Sequence, residues 1–339
     1  MDKSFKMKVG AGIAALAVIV TGGGWYYFHA RSDAPETAIT AVTRSIEKHD
    51  VKGFHKAVNV DSLLDSGYAG FVDGLISFDN SITPDAKDAI KTFTEMLRAP
   101  LMLSMKSAID SYVSTGDPNF KENVGVSEII QRTGLNDVEV RSVKNIQLND
   151  ANRDEAFADV VIYQPELGRE FAIQIVLALN EEDKWQIVRI QNFQEYVAQI
   201  AEARRAQLDE YLAKSGEINI RHEATIREAE QKYSSILSLG SLTQDKTRAE
   251  LKTLMNEVIK ADWEGRKEEL FSLRVPKNAE TLHNLYMQIC DLSIAAAQDY
   301  AKWMDDKNSA TIKSAEEKLH QVQTLMTEAS ALAKRMTNF

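Results

Sequence analysis

The amino-acid sequence predicts an α+β protein in three parts: an amino-terminal transmembrane helix, a domain of helices packed on a curled, cone-like four-stranded antiparallel sheet, and an all-α helical bundle. Three observations predict it. Residues 9–28 carry no charge. Between residues 138 and 192 the apolar period shortens from about 3.6 to about 2, the spacing of strands. On both sides of that window apolar residues recur at helical spacing, most persistently after Phe193.

As a helix the uncharged stretch covers roughly 30 Å, the thickness of a bilayer's hydrocarbon core. Lys3, Lys6 and Lys8 precede it with only Asp2 in opposition. The positive-inside tendency therefore keeps residues 1–8 as a cytoplasmic tail and places the bulk of the chain outside the cytoplasmic membrane. Trp25, Tyr26, Tyr27 and Phe28 form an aromatic cluster at the outer end, where amphipathic rings favour the headgroup zone. A cleaved secretory signal is the competing reading, since the basic start and apolar run 11–20 fit it too; Phe28-His29-Ala30, however, puts a ring where cleavage needs a small residue. Gly10, Gly12 and Ala15 match a dinucleotide fingerprint in letters only, because no strand precedes them. Gly10 with Ala14 and Ala17 with Thr21 suit close packing on a membrane partner, which is compatible with an oligomer.

The α+β domain is assigned to residues 32–193. Ser32-Asp33-Ala34-Pro35-Glu36 reads as a helix start with Ser32 or Asp33 as cap, followed by Ile39, Val42 and Ile46. Asp50 opens a short turn with Phe54 and Val58, and Asp61 precedes Leu63, Leu64 and Phe71. Thr83-Pro84-Asp85 opens a helix carrying Ile90, Phe93, Met96 and Leu97. Pro100 is expected to interrupt it, with a second run through Leu103, Met105, Ile109 and Val113 ending in a turn at 115–118. A short helix over 126–133 closes at Gly134. Strands follow over 138–148, 155–164, 169–180 and 184–192, and their short turn-rich connectors make neighbours antiparallel.

This order of elements, with the closing run Trp185-Gln186-Ile187-Val188-Arg189-Ile190, resembles the cone-shaped domains of the nuclear transport factor two-like family over residues 35–193. Ala38-Ile39, Phe54, Val58 and Asp61-Ser62-Leu63 are similar to the start of membrane-anchored bacterial domains of unknown function. The resemblance implies a pocketed scaffold that serves enzymes, binders and structural proteins alike.

Residues 194–339 read as the bundle. Val197, Ile200, Leu208, Tyr211, Ile218 and Ile226 keep one stripe, and Gly216 either interrupts a very long helix or turns it back. Thr243 begins a second helix that ends by Pro276, residues 282–304 make a third, and Ser309 caps a fourth. The run Leu282-His283-Asn284-Leu285-Tyr286 is similar to helical regions of bacterial envelope proteins.

Composition and motifs narrow the chemistry. Lys plus Arg 40 against Asp plus Glu 50 gives a net charge of −10, and Arg204-Arg205 and Lys334-Arg335 are isolated pairs, so nucleic acid is not an expected partner. Cys290 is the single cysteine, which excludes an intramolecular disulfide; among Leu285, Ile289, Leu292 and Ile294 it reads as a small buried hydrophobe. His49 and His55 straddle a helix break, His222-Glu223 does not complete H-E-x-x-H, and His283 and His320 stand singly, so no metal or other cofactor is called for. Neither G-x-S-x-G nor a phosphate loop occurs.

The catalytic candidates are in the cone, where Asp159 and Tyr163 share a strand face and Gln174 or Arg189 projects from an adjoining strand. A buried carboxylate there could serve as a base; on a solvated face the same residues are surface charges. In the bundle, Trp263, Tyr286, Met287, Tyr300, Trp303 and Met304 sit at core spacing, with a minority available as a recognition patch, while charged stretches 264–269 and 316–318 read as solvated. The functional expectation is a single-pass protein of the bacterial envelope, anchored through its amino-terminal helix, with a non-enzymatic scaffold or binding role toward a protein or small ligand. The alternatives are a cone-class enzyme acting on a small apolar ligand through Asp159, Tyr163 or Arg189, and an envelope sensor whose bundle repacks on binding.

Overall fold

The computed structural model describes residues 34–78, 83–116, 134 and 138–337. The expected anchor at 9–28, its aromatic quartet and the short helix over 126–133 lie outside the described residues. Among the described residues no helix is long and apolar enough to cross a membrane. The protein is α+β and mostly helical, and it divides into two compact units, one ending at Ala203 and one beginning at Arg204.

The first unit opens with α1 (Glu36–Glu47), α2 (Val51–Ala57), α3 (Val60–Phe78) and α4 (Pro84–Thr115). Pro35, not Ser32 or Asp33, holds the cap position of α1 and makes no side-chain cap bond; the first turn closes instead through Thr37, whose N–H and hydroxyl donate to the Ala34 carbonyl at 2.9 and 2.7 Å. Asp50 caps α2 by accepting from Gly53 N at 2.9 Å. Asn59, rather than Asp61, caps α3 by accepting from Ser62 N at 3.1 Å. These caps occupy amide protons that a helix start leaves without partners.

Helix α4 runs unbroken through Pro100 and ends on Gly116, whose φ of 78° suits glycine. Proline deletes one intrahelical hydrogen bond, to the carbonyl of Met96. Met96 is 68% exposed, so water is available to that carbonyl and the interruption expected at this position does not occur. The helix is apolar on a different schedule from the expected one. Met105, Ala108, Ile109, Tyr112 and Val113 are buried, whereas Phe93, Met96, Leu97 and Leu103 are exposed. Its first half meets α3 through ion pairs, Lys91 with Asp73 at 3.1 Å and Arg98 with Asp65, rather than through those apolar side chains.

The sheet is an antiparallel meander in the order β1 (Glu139–Leu148), β2 (Glu155–Gln164), β3 (Arg169–Leu179) and β4 (Trp185–Ile190). Its turns use the residues their geometry demands: Gly168 at φ 65° after β2, and Asn180, whose side-chain oxygen accepts from Glu182 N and Lys184 N at 2.9 Å, after β3. Alternation is strict on β2, where Ala156, Ala158, Val160 and Ile162 are fully buried and the residues between them are half-exposed. The buried face meets Ile39, Val42, Phe54, Leu63 and Ile109 from the helices in one apolar core. Asn59 N also bonds the Ile187 carbonyl at 2.9 Å, tying the α2–α3 junction to β4.

Helix α5 (Phe193–Leu239) supplies Phe193, Tyr196, Val197, Ile200 and Ala203 to this same core. That is why the first unit extends to Ala203, ten residues past the boundary expected at 193. Gly216 neither interrupts nor reverses α5.

The second unit continues with α6 (Asp245–Thr253), a π-helical segment (Leu254–Lys260), α7 (Ala261–Phe271), a 3-10 turn (Lys277–Ala279), α8 (Glu280–Asp306) and α9 (Ser309–Thr337). The cap position of α6 is Gln244, one residue beyond Thr243. Asn308 rather than Ser309 closes the start of α9, accepting from Ala310 N at 2.9 Å. Leu208, Tyr211, Ile218, Trp263, Leu282 and Ile289 belong to a core of its own.

Candidate functional site

The sheet candidates are committed to neighbouring side chains. Asp159 and Tyr163 do share a strand face, but it is the half-exposed one, opposite the helix-covered core. Asp159 accepts from Asn145 Nδ2 at 2.9 Å and from Gln174 Nε2 at 3.2 Å, Gln174 being its register partner on β3. Tyr163 carries the Arg141 guanidinium 4.6 Å from its ring centroid. Arg189 donates to Glu155 at 3.2 Å and to Gln191 at 3.3 Å. The covered face, where a cone would hold a ligand, contains Phe171, Ile173 and Ile175, each at most 4% exposed and packed against the helices.

Three of the histidines are likewise engaged by one partner each. His49 Nδ1 bonds the Val113 carbonyl at 3.0 Å, His55 Nε2 bonds Asp110 at 2.7 Å, and Tyr211 with His283 share a 3.3 Å bond. Among the described residues no group of three or more His, Cys, Asp or Glu is placed to hold a metal ion.

A different constellation lies inside the second unit. A cavity of about 350 Å³ opens between its helices. Helix α5 contributes Asn219, Glu223 and Ile226, successive residues of one face, and α7 contributes Trp263 and Arg266. Tyr286, Ile289 and Cys290 come from α8. On α9 the wall is built of Ala329, Ser330 and Ala333, small residues that leave the space a larger side chain would fill, with Met326 beside them.

The π-helical segment leads into this site, because α7 begins directly after it and places Asp262, Trp263 and Arg266 in its first two turns. A π turn widens the helix and re-aims the side chains that follow it.

Arg266 is the unusual member. Its side chain is 5% exposed, and the charged stretch 264–269, expected to be solvated, therefore buries its central cation. The guanidinium carbon sits 3.9 Å from the Trp263 ring centroid, so one flat face is covered. Its edge is poorly used. Nη2 lies 3.8 Å from Asp262 Oδ2, beyond hydrogen-bond reach, and neither Nε nor that carboxylate oxygen has a hydrogen-bond partner. Asp262 Oδ1 is instead bonded by His222 Nδ1 at 2.8 Å, while His222 Nε2 reaches Glu269 at 3.3 Å.

Burial lowers the pKa of Arg266 from its usual value, with Asp262 and other nearby groups opposing the fall. Burial also pushes the Cys290 thiol up to about 11, against the pull of Arg266. The thiol is thus protonated and inert at neutral pH.

This arrangement was partly legible. Trp263, Arg266 and Leu270 follow one another at spacings of three and four, which places Arg266 on the buried stripe of α7. No sequence signal marks the π segment. No family model, curated protein or solved structure matches the chain.

Proposed function

We propose that this chain is a single-pass protein of a bacterial envelope, held in the cytoplasmic membrane by residues 9–28 with its amino terminus inside and both folded units outside. Its role is to bind or hold a protein or small ligand rather than to catalyse a reaction. One observation carries the binding reading: the sheet face that would form a reaction chamber is filled by Phe171, Ile173 and Ile175, while a cavity with a buried, under-coordinated cation stands between the bundle helices. The first unit is read as a relative of the nuclear transport factor two-like cone, supported by helices preceding a four-stranded antiparallel meander that ends on Trp185-Gln186-Ile187. Location rests on the uncharged 9–28 stretch, the lysines before it and the aromatic quartet after it.

Periplasm-active and cytoplasm-active reporters fused after Phe339, with carbonate extraction and amino-terminal sequencing of the membrane form, test the placement. Expected are activity of the periplasmic reporter alone, retention in the extracted membrane and an intact start at Met1 or Asp2. A cytosolic reporter signal, or a mature chain that begins beyond Phe28, overturns it.

A further inference from the structure

We infer that the bundle cavity is a binding site for a small organic monocarboxylate with an apolar body, gripped at its carboxylate by Arg266. The inference rests on the binding reading above and names the ligand class for the cavity described there.

A buried guanidinium in this protein is not left wanting by default, as Arg248 shows. That side chain is 9% exposed, yet its Nε donates to the Met304 carbonyl at 3.1 Å, one Nη to the Leu242 carbonyl at 2.6 Å and the other to Asp245. Arg266, equally buried, has one face on Trp263 and an edge whose Nε meets no acceptor. Such an edge is a planar fork of donors matched to the two oxygens of a carboxylate.

The surroundings select further. Arg266 is the cation lining the cavity, and Glu223 is the carboxylate there, tied to Arg227 at 3.2 Å. A second negative charge on the ligand would be placed near Glu223 and repelled, which favours a monoanion. The remaining wall is largely apolar, with Ile226, Ile289, Met326 and Ala329 facing an aromatic pair, Trp263 and Tyr286. Inorganic anions gain nothing from that wall, whereas an aromatic or short aliphatic body does. A volume of about 350 Å³ falls at the small end of ligand pockets.

Cys290 lines the cavity and is the chain's single cysteine, so its alkylation reports occupancy directly. Because burial keeps the Cys290 thiol protonated at neutral pH, the full chain is reconstituted in nanodiscs and treated with iodoacetamide at about pH 9, where a reactive thiolate fraction forms, with or without 3-phenylpropionate or its neutral counterpart 3-phenylpropanol. Intact mass follows modification, and calorimetry gives affinity. The expected result is at least fivefold slower alkylation with the carboxylate, little protection by the alcohol, and affinity for the carboxylate weakened about 10- to 100-fold by Arg266→Met, the span of a charged hydrogen bond. Ser330→Phe, at an exposed wall position, blocks the cavity without touching the core and is expected to abolish protection, which keeps the test decisive if Arg266→Met misfolds. Equal protection by acid and alcohol overturns the carboxylate assignment and leaves an apolar binding site standing. Protection by neither overturns the site itself, without bearing on the membrane placement. Recovery of a chemically altered carboxylate supports the site and overturns the non-enzymatic reading.

Discussion

Among the described residues the first unit buries only Ser45 and Gln164 as polar side chains, whereas the second buries Arg248 and Arg266 together with Ser215, Thr247 and Ser293. Topology accounts for the difference. In the first unit a strand offers each charge an exit, since every second residue faces away from the core: Asp159 and Arg189 stand on that outer face. In a bundle of long helices the apolar stripe is nearly as wide as the space between neighbours, and a charge at stripe spacing has no alternate face. Arg248 and Arg266 then show the two fates of a trapped cation. One is fully bonded and acts as a clamp between the α5–α6 loop and the end of α8; the other lines a cavity and keeps a buried Nε with no acceptor. Complete satisfaction reads as structure and incomplete satisfaction as a site, because a buried donor left without an acceptor costs stability that folding alone does not repay.

Five outcomes test that contrast. Ile173→Ala removes atoms from the apolar core of the first unit and is expected to cost about 2–5 kcal/mol; peptide-resolved hydrogen exchange should show the loss in residues 34–203 and leave the bundle protected. If the loss spread equally to residues 204–337, the two units would not be energetically separate. Arg248→Met strands the Met304 and Leu242 carbonyls and is expected to destabilise the bundle by about 2–3 kcal/mol. Arg266→Met combined with Asp262→Asn, by comparison, should fall within about 1 kcal/mol of the natural chain, since the buried pair is replaced as a unit rather than broken. Chemical denaturation of both variants decides; equal losses would erase the distinction between clamp and site.

A smaller gain is expected at Gly216. A methyl group there meets nothing within 4 Å, so Gly216→Ala should stabilise the long helix by about 0.5–1 kcal/mol, measured as a raised urea midpoint. The smallest effect concerns pH. Burial holds His283 below its usual value of 6.5, so between the lowered value and 6.5 the unfolded chain binds more protons than the folded one. Bundle stability should therefore fall as pH drops below 6.5, and His283→Gln should flatten that slope in melts taken across the same window.

Much of the fold was readable because its signals are local. The strand limits at 155–164 follow from alternation and flanking turn residues, and the structure places β2 at Glu155–Gln164. Asp50 and Thr83 were readable as caps because a cap acts across three residues. Pro100 and Gly216 misled for the opposite reason: each changes a local preference by an amount that the rest of a long helix outweighs. Phe93, Met96 and Leu97 have the spacing of a core stripe and still stand exposed, because spacing defines a face without saying what lies against it.

Residue order alone determined which segments coil and which extend, and where the sheet turns. Tertiary structure alone decided that Asp159 and Arg189 are spent on surface partners and that Ala329, Ser330 and Ala333 leave a gap. It also decided that the guanidinium beside that gap has a covered face and a donor without an acceptor. Helix and turn signals act over a few residues, whereas a cavity and an unmet donor are defined only by side chains brought together from four helices far apart along the chain.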